Sequence, residues 1–139
     1  MSPEQIQRVQ HSFALVAPIA DQAAALFYDR LFTQHPEVRP LFSGDIKRQG
    51  AMLMQTLALA VKHLHEPQEI MEPLRALGRR HVGYGVKEAH YPLVGDALLW
   101  TLEQGLGEAF DAETREAWAA AYGLLAGVMC EAAADAQAA

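Results

Sequence analysis

Apolar residues recur along this chain every three or four positions and almost nowhere every second one, which is the period of helices rather than strands. Ile6, Val9, Phe13 and Val16 mark one face of a first helix that Pro18 interrupts. Its start is spelled out locally. Ser2 is a capping residue, Pro3 takes the first helical position and Gln5 stands three residues after the cap, the pattern of a capping box. A second helix carries Ile19, Ala23, Leu26, Phe27 and Leu31 as its apolar stripe. Between residues 33 and 45, Pro36, Pro40 and Gly44 break the period, so a corner of short turns is expected there.

The period resumes near residue 46 with Met52, Leu53, Thr56, Leu57, Ala60, Val61 and Leu64. Pro67 interrupts it, and Pro73 is expected to kink or restart the helix that ends near "GRRH". The stretch "VGYGVKEA" reads as a glycine-punctuated loop, after which Pro92 opens a helix faced by Val94, Leu98 and Leu102. That helix closes at "GLG", and Asp111 is placed to cap the last one. Trp118, Ala121, Tyr122, Leu125, Val128, Met129 and Ala132 give this last helix a clean apolar stripe. The tail "ADAQAA" is expected to fray. The sum is an all-α chain of six or seven helices without internal repeat. The irregular corner favours orthogonal packing over an up-and-down bundle.

Composition narrows the picture. A length of 139 residues fits one domain over 1–139, with room for one sizeable core. The net charge of -6 and the scatter of the basic residues argue against nucleic acid, whose phosphates need a positive surface. Cys130 is the only cysteine, so neither an internal disulfide nor a cysteine zinc site can form. A buried thiol is its default reading. The amino terminus is polar, and no uninterrupted apolar run approaches the roughly 20 residues of a membrane span. The cytoplasm is the expected location. The lack of asparagine beside a single cysteine points weakly to heat tolerance.

The usual catalytic motifs are missing. "HLHEP" places His63 and His65 two apart, on different sides of a helix, so it is not a zinc motif. "GLGEAF" lacks the third glycine of a dinucleotide fingerprint and follows a helix. Six histidines remain, at 11, 35, 63, 65, 81 and 90, and for any one of them a structural role is the ordinary reading. His81 differs because it closes a helix just before Gly83 and Gly85, where backbone could approach a large ligand. Tyr28 sits beside Phe27 on an apolar face, and Gln49 is the one amide at the start of the Leu53–Leu57 face. Taken singly, Tyr28 reads equally as an interface tyrosine and Gln49 as a solvated cap. Taken with His81, they are neutral donors facing a metal's open position.

The stretches "LFYDRLFTQHPEVRPLF", "RQGAMLMQTL", "LGRRHVGYGV", "HYPLVGDALL" and "AWAAAYGLLAGVM" resemble the globins, specifically single-domain bacterial haemoglobins and the neuroglobin-like globins of bacteria. The resemblance covers essentially the whole chain in order and spacing. It implies a globin fold of six to eight helices around haem b (iron protoporphyrin IX), with His81 as the proximal iron ligand. Phe42 then packs on the porphyrin at the corner, Gln49 takes the distal position, and Leu53 limits the space one turn on. Tyr28 supplies a second distal hydrogen bond, while Val86, Val94 and Leu98 line the cofactor. Arg80 is placed either to pair with a propionate or to stay solvated. Tyr91, ten residues beyond His81, matches a tyrosine that approaches the proximal histidine in relatives with "HYP". Those relatives add a glutamate from the last helix, where this chain has Ala133, with Glu131 and Asp135 two residues to either side. A two-residue offset turns a helical side chain well away, which argues against strongly peroxidase-like iron chemistry.

The resemblance implies O2, CO and NO as small ligands. Its first functional form is reversible oxygen binding at five-coordinate iron, for storage or delivery. A phenol and an amide would favour partly negative oxygen over neutral carbon monoxide. Its second is nitric oxide dioxygenase, forming nitrate, which needs the iron re-reduced by a separate NAD(P)H-dependent reductase. A gas sensor usually carries an output domain, and a cofactor-free helical interaction domain would leave Tyr28, Gln49 and His81 without a common purpose. Self-association as a homodimer stays open.

Overall fold

A computed structural model describes residues 1–42 and 44–138. Six helices follow in order: α1 Pro3–Val16, α2 Ala20–Gln34, α3 Ile46–Lys62, α4 Met71–Gly83, α5 His90–Leu106 and α6 Ala112–Ala138. Short 3₁₀ turns join them at Ala17–Ile19, Pro36–Leu41, Pro67–Glu69 and Gly107–Ala109, and no strand occurs among the described residues. The all-α expectation holds.

The local signals act where they were read. At the head of α1, Ser2 Oγ accepts from the Gln5 N–H and Gln5 Oε1 accepts from the Ser2 N–H, both at 3.1 Å, so two orphan donors are satisfied reciprocally. Asp111 Oδ1 accepts from the Thr114 N–H at 2.8 Å at the start of α6. Pro73 kinks nothing, because it falls in the first turn of α4, as Pro92 does in α5. A first-turn residue has no intrahelical acceptor for its N–H, so a proline there costs no bond.

Three expectations are corrected. Leu26 and Met52 were assigned to buried stripes, yet they are 39% and 58% exposed. In α2 the inward positions are Ala23, Ala24, Phe27, Tyr28 and Leu31, so Leu26 falls on the flank. In α3 the inward position near Met52 is Gly50, where a Cβ would stand 2.9 Å from the Ala24 Cβ. α2 and α3 therefore approach through small residues, and the larger Met52 is turned out. The tail does not fray before residue 138, since α6 continues through Ala138. Ala139 lies outside the described residues. Residues Ala112–Gln137 are also long and apolar enough, by length and composition, to cross a membrane. The sequence showed no such run because alanines and glycines raise the average while scattered charges interrupt it. In this fold the helix packs, with Ala117, Trp118, Ala121, Leu125, Met129 and Ala132 buried.

The main core gathers around Val9, Leu31 and Trp118. The Trp118 indole N–H donates to Ser12 Oγ at 2.8 Å, and the serine hydroxyl donates to the Arg8 carbonyl at 2.6 Å, so both buried polar groups are satisfied. A smaller cluster of Ala60, Ile70, Leu74, Leu125 and Met129 fixes α4 on α6. Gly78 makes that crossing close, since a Cβ there would stand 2.4 Å from the Met129 carbonyl oxygen. α3 packs on α2 and α1, and α4 on α6, but consecutive α3 and α4 make at most marginal contact with each other. That separation positions the site.

Candidate functional site

His81 lies in the last turn of α4 and is partly buried. Its Nδ1 is 2.8 Å from the Leu77 carbonyl oxygen, one turn back. A carbonyl can only accept, so Nδ1 carries the proton and Nε2 keeps its lone pair. Burial lowers the His81 pKa below its usual 6.5, the Leu77 hydrogen bond opposes this, and the Arg80 charge adds to the lowering. The result is a neutral imidazole with one fixed nitrogen and one lone pair, the form a metal ligand needs.

Of the two glycines after His81, Gly85 stops the helix. Gly85 adopts φ +88, a left-handed conformation that favours glycine. The Gly85 N–H then bonds to the Val82 carbonyl and the Val86 N–H to the His81 carbonyl, each at 3.0 Å, which is a Schellman cap. Gly83 is inside α4, and a Cβ there would meet nothing. The close backbone approach falls instead at Gly78, one turn before His81.

Two aromatic groups form. Tyr28, 5% exposed, packs edge-on to Phe27 and to Phe42, with centroids 5.0 and 5.5 Å away, and stacks on Phe32 at 5.7 Å. Burial pushes the Tyr28 hydroxyl up to about 12, so it stays a neutral donor at any ordinary pH. Gln49 is partly buried on the first turn of α3, next to Gly50, whose position touches the Tyr28 ring. Around His81 the second group comprises Tyr84, tilted at 5.6 Å, and Tyr91, stacked at 6.4 Å. No ring contact among the described residues joins the two groups.

Several apolar side chains pack on the core yet stay partly exposed: Leu41, Phe42, Ile46, Leu53 and Val94. Leu98 is buried and Val86 is half-buried, while Arg80 is exposed. Ordinary helix packing would bury such residues against α4. Here α4 packs chiefly on α6, and these side chains stay partly exposed.

Sequence reasoning missed Phe32 and Arg39. The Arg39 guanidinium sits 5.0 Å over the Phe32 ring and donates to the Phe42 carbonyl at 2.8 Å, fastening the corner. The four-residue spacing of Tyr28 and Phe32 was a usable signal, but nothing in the sequence marks Arg39. Ala133 lines a small cavity beside Tyr91, whereas Glu131 and Asp135 are exposed and outside it. Neither acid takes the place of the glutamate that the resemblance puts at 133.

The globin family model matches residues 25–129. A flavohemoprotein of Chromobacterium violaceum is 38% identical over 104 residues, covering 72% of this chain and 26% of its own length. One of Bordetella pertussis is 34% identical over 133 residues, covering 93% of this chain and 33% of its own. The chain thus spans about a quarter to a third of these curated relatives. Among solved structures, a bacterial globin from Campylobacter jejuni superposes with TM-score 0.90 at 27% identity, covering 99% of this chain and all of its own. An engineered carbene transferase from a Rhodothermus marinus protein named for nitric oxide dioxygenase gives TM-score 0.91 at 27% identity, covering 99% and 96%.

Proposed function

The chain belongs to the globin family, and from that premise we propose that it is a haem protein that binds dioxygen reversibly. The observation that carries this reading is His81, fixed through Nδ1 with Nε2 free, on a helix packed chiefly on α6. Bound haem b would supply the reaction with diatomic gases. The side chains then divide the work. His81 holds the iron from α4, and Phe42, Leu53, Val86, Val94 and Leu98 exclude water from the ring's surroundings. Arg80, which is exposed, would pair with a propionate. Tyr28 and Gln49 would offer an O–H and an amide N–H to a bound gas. Donors of this kind favour a ligand that becomes partly negative, so dioxygen gains over carbon monoxide. A hydrogen bond to a charged group contributes about 1.5–3 kcal/mol. Tyr28→Phe and Gln49→Leu should therefore each speed oxygen release roughly ten- to a hundred-fold, with carbon monoxide release little changed. An unchanged oxygen rate in both variants would remove the distal assignment.

A second reading is nitric oxide dioxygenase, supported by the similarity to the Rhodothermus protein. The same donors would serve it, with re-reduction by a separate NAD(P)H-dependent reductase. Rapid mixing of the oxygenated protein with nitric oxide, followed by nitrate analysis with and without a reductant, separates the two. Sustained nitrate formation supports the enzyme, and a single stoichiometric burst supports the carrier.

A further inference from the structure

Tyr91 stacks on His81 at 6.4 Å, and its hydroxyl is buried without a hydrogen-bond partner among the described residues. Buried hydroxyls without partners are rare, because a polar group taken from water must recover its hydrogen bond elsewhere. Tyr91 also lines a cavity of about 50 Å³ shared with Val86, Glu88, Cys130, Ala133 and Gln137. A water site needs roughly 10–15 Å³ of such space and two to four polar partners. The cavity is large enough, and Glu88, Cys130 and Gln137 line it beside Tyr91.

Three observations bring Glu88 and Tyr91 to this one space. The Tyr91 N–H bonds to the Glu88 carbonyl at 3.2 Å, so both side chains leave the same turn at the head of α5. Burial and then the Glu88 charge push up the Cys130 thiol, and burial and then Cys130 push up the Tyr91 hydroxyl. Glu88 and Gln137 are exposed and form the rim, while the Tyr91 hydroxyl is at the buried end. The small side chain of Ala133 leaves the space open. A carboxylate on the wall disfavours anions, and the volume excludes larger molecules.

We propose that this cavity is a water site, in which ordered water accepts from the Tyr91 hydroxyl and donates to the Glu88 carboxylate. Tyr91 is then a positioning residue whose ring, held by that water, fixes the back of His81. The site stands on the cavity and the hydroxyl alone; only its link to iron chemistry rests on the haem reading.

The test is a high-resolution crystal structure of the full chain, before and after xenon pressurisation. The expected result is density at hydrogen-bond distance from both Tyr91 Oη and Glu88, retained under xenon and lost in Tyr91→Phe. Xenon in the cavity without water would overturn the proposal, because xenon enters dry apolar cavities. So would a Tyr91 hydroxyl bonded directly to protein with no water beside it. In solution, the Raman difference between wild type and Tyr91→Phe isolates the Tyr91 ring doublet, which reports its hydrogen bonding. Ala133→Leu, which fills the space, should shift that doublet toward a weaker donor, and an unshifted doublet would count against the site. Neither readout depends on whether haem binds, so a failure here is distinct from a failure of the haem reading.

Discussion

Gly78→Ala should loosen the helix that carries His81. A Cβ at Gly78 would stand 2.4 Å from the Met129 carbonyl oxygen, 2.8 Å from its Cα and 2.9 Å from its carbonyl carbon. All three atoms are backbone of α6, so no side chain can turn aside to make room. The clash has to be relieved by moving α4, whose packing is mostly on α6. Overpacking of this kind costs up to about 3 kcal/mol, while the helix gains about 1 kcal/mol from exchanging glycine for alanine. The net loss is up to about 2 kcal/mol, which for a domain of this length lowers the melting temperature by up to about 7 °C. Gly123→Ala is the matched control, because a Cβ there on α6 meets nothing within 4 Å. It retains only the propensity gain and should raise the melting temperature by about 3 °C. Circular dichroism melts of the two variants against wild type decide the matter. A Gly78→Ala protein as stable as wild type, or one stabilised like Gly123→Ala, would refute the close crossing of α4 on α6.

Other consequences are open to simple measurements. Burial raises Tyr28 to about 12 from 10.0, so the folded state holds that proton longer than the unfolded chain does. The stability this provides is full below pH 10 and is lost as the pH rises through about 12. Alkaline titration of tyrosinate absorbance should show a step near 12 that Tyr28→Phe removes; if the variant instead lacks a step near 10, the residue is solvated. Ser12→Ala leaves the Trp118 indole N–H buried without its 2.8 Å acceptor and should cost about 1–3 kcal/mol in urea unfolding. A loss near zero would show that another acceptor takes over.

The sequence disclosed most where the cause is local. The capping box at Ser2 and the proline positions in α4 and α5 depend on residues a few positions apart, so they were legible. The pairing of Tyr28 with Phe42 was legible only through family resemblance, since no local rule brings α2 against the corner. Leu26 and Met52 sit at the edge of their stripes, and whether an edge position is buried depends on the neighbouring helix. The glycines show the same limit. Gly83 and Gly85 stand out in the sequence because they follow His81, but only Gly85 needs its left-handed conformation. The close approach is at Gly78, which nothing in "ALGRR" distinguishes, because the crossing with Met129 is a property of two helices. The buried Tyr91 hydroxyl and its cavity belong to the same class. They arise where the head of α5 meets the end of α6.

The central claim is that His81 holds haem iron, and an absorption spectrum tests it most directly. Purified protein, reconstituted with haemin if needed, would be recorded ferric, dithionite-reduced and exposed to carbon monoxide, beside His81→Ala. The account predicts a Soret band that moves on reduction and sharpens with carbon monoxide in wild type, and is lost in the variant. A wild-type protein with no Soret band after reconstitution, or a His81→Ala spectrum identical to wild type, would contradict it.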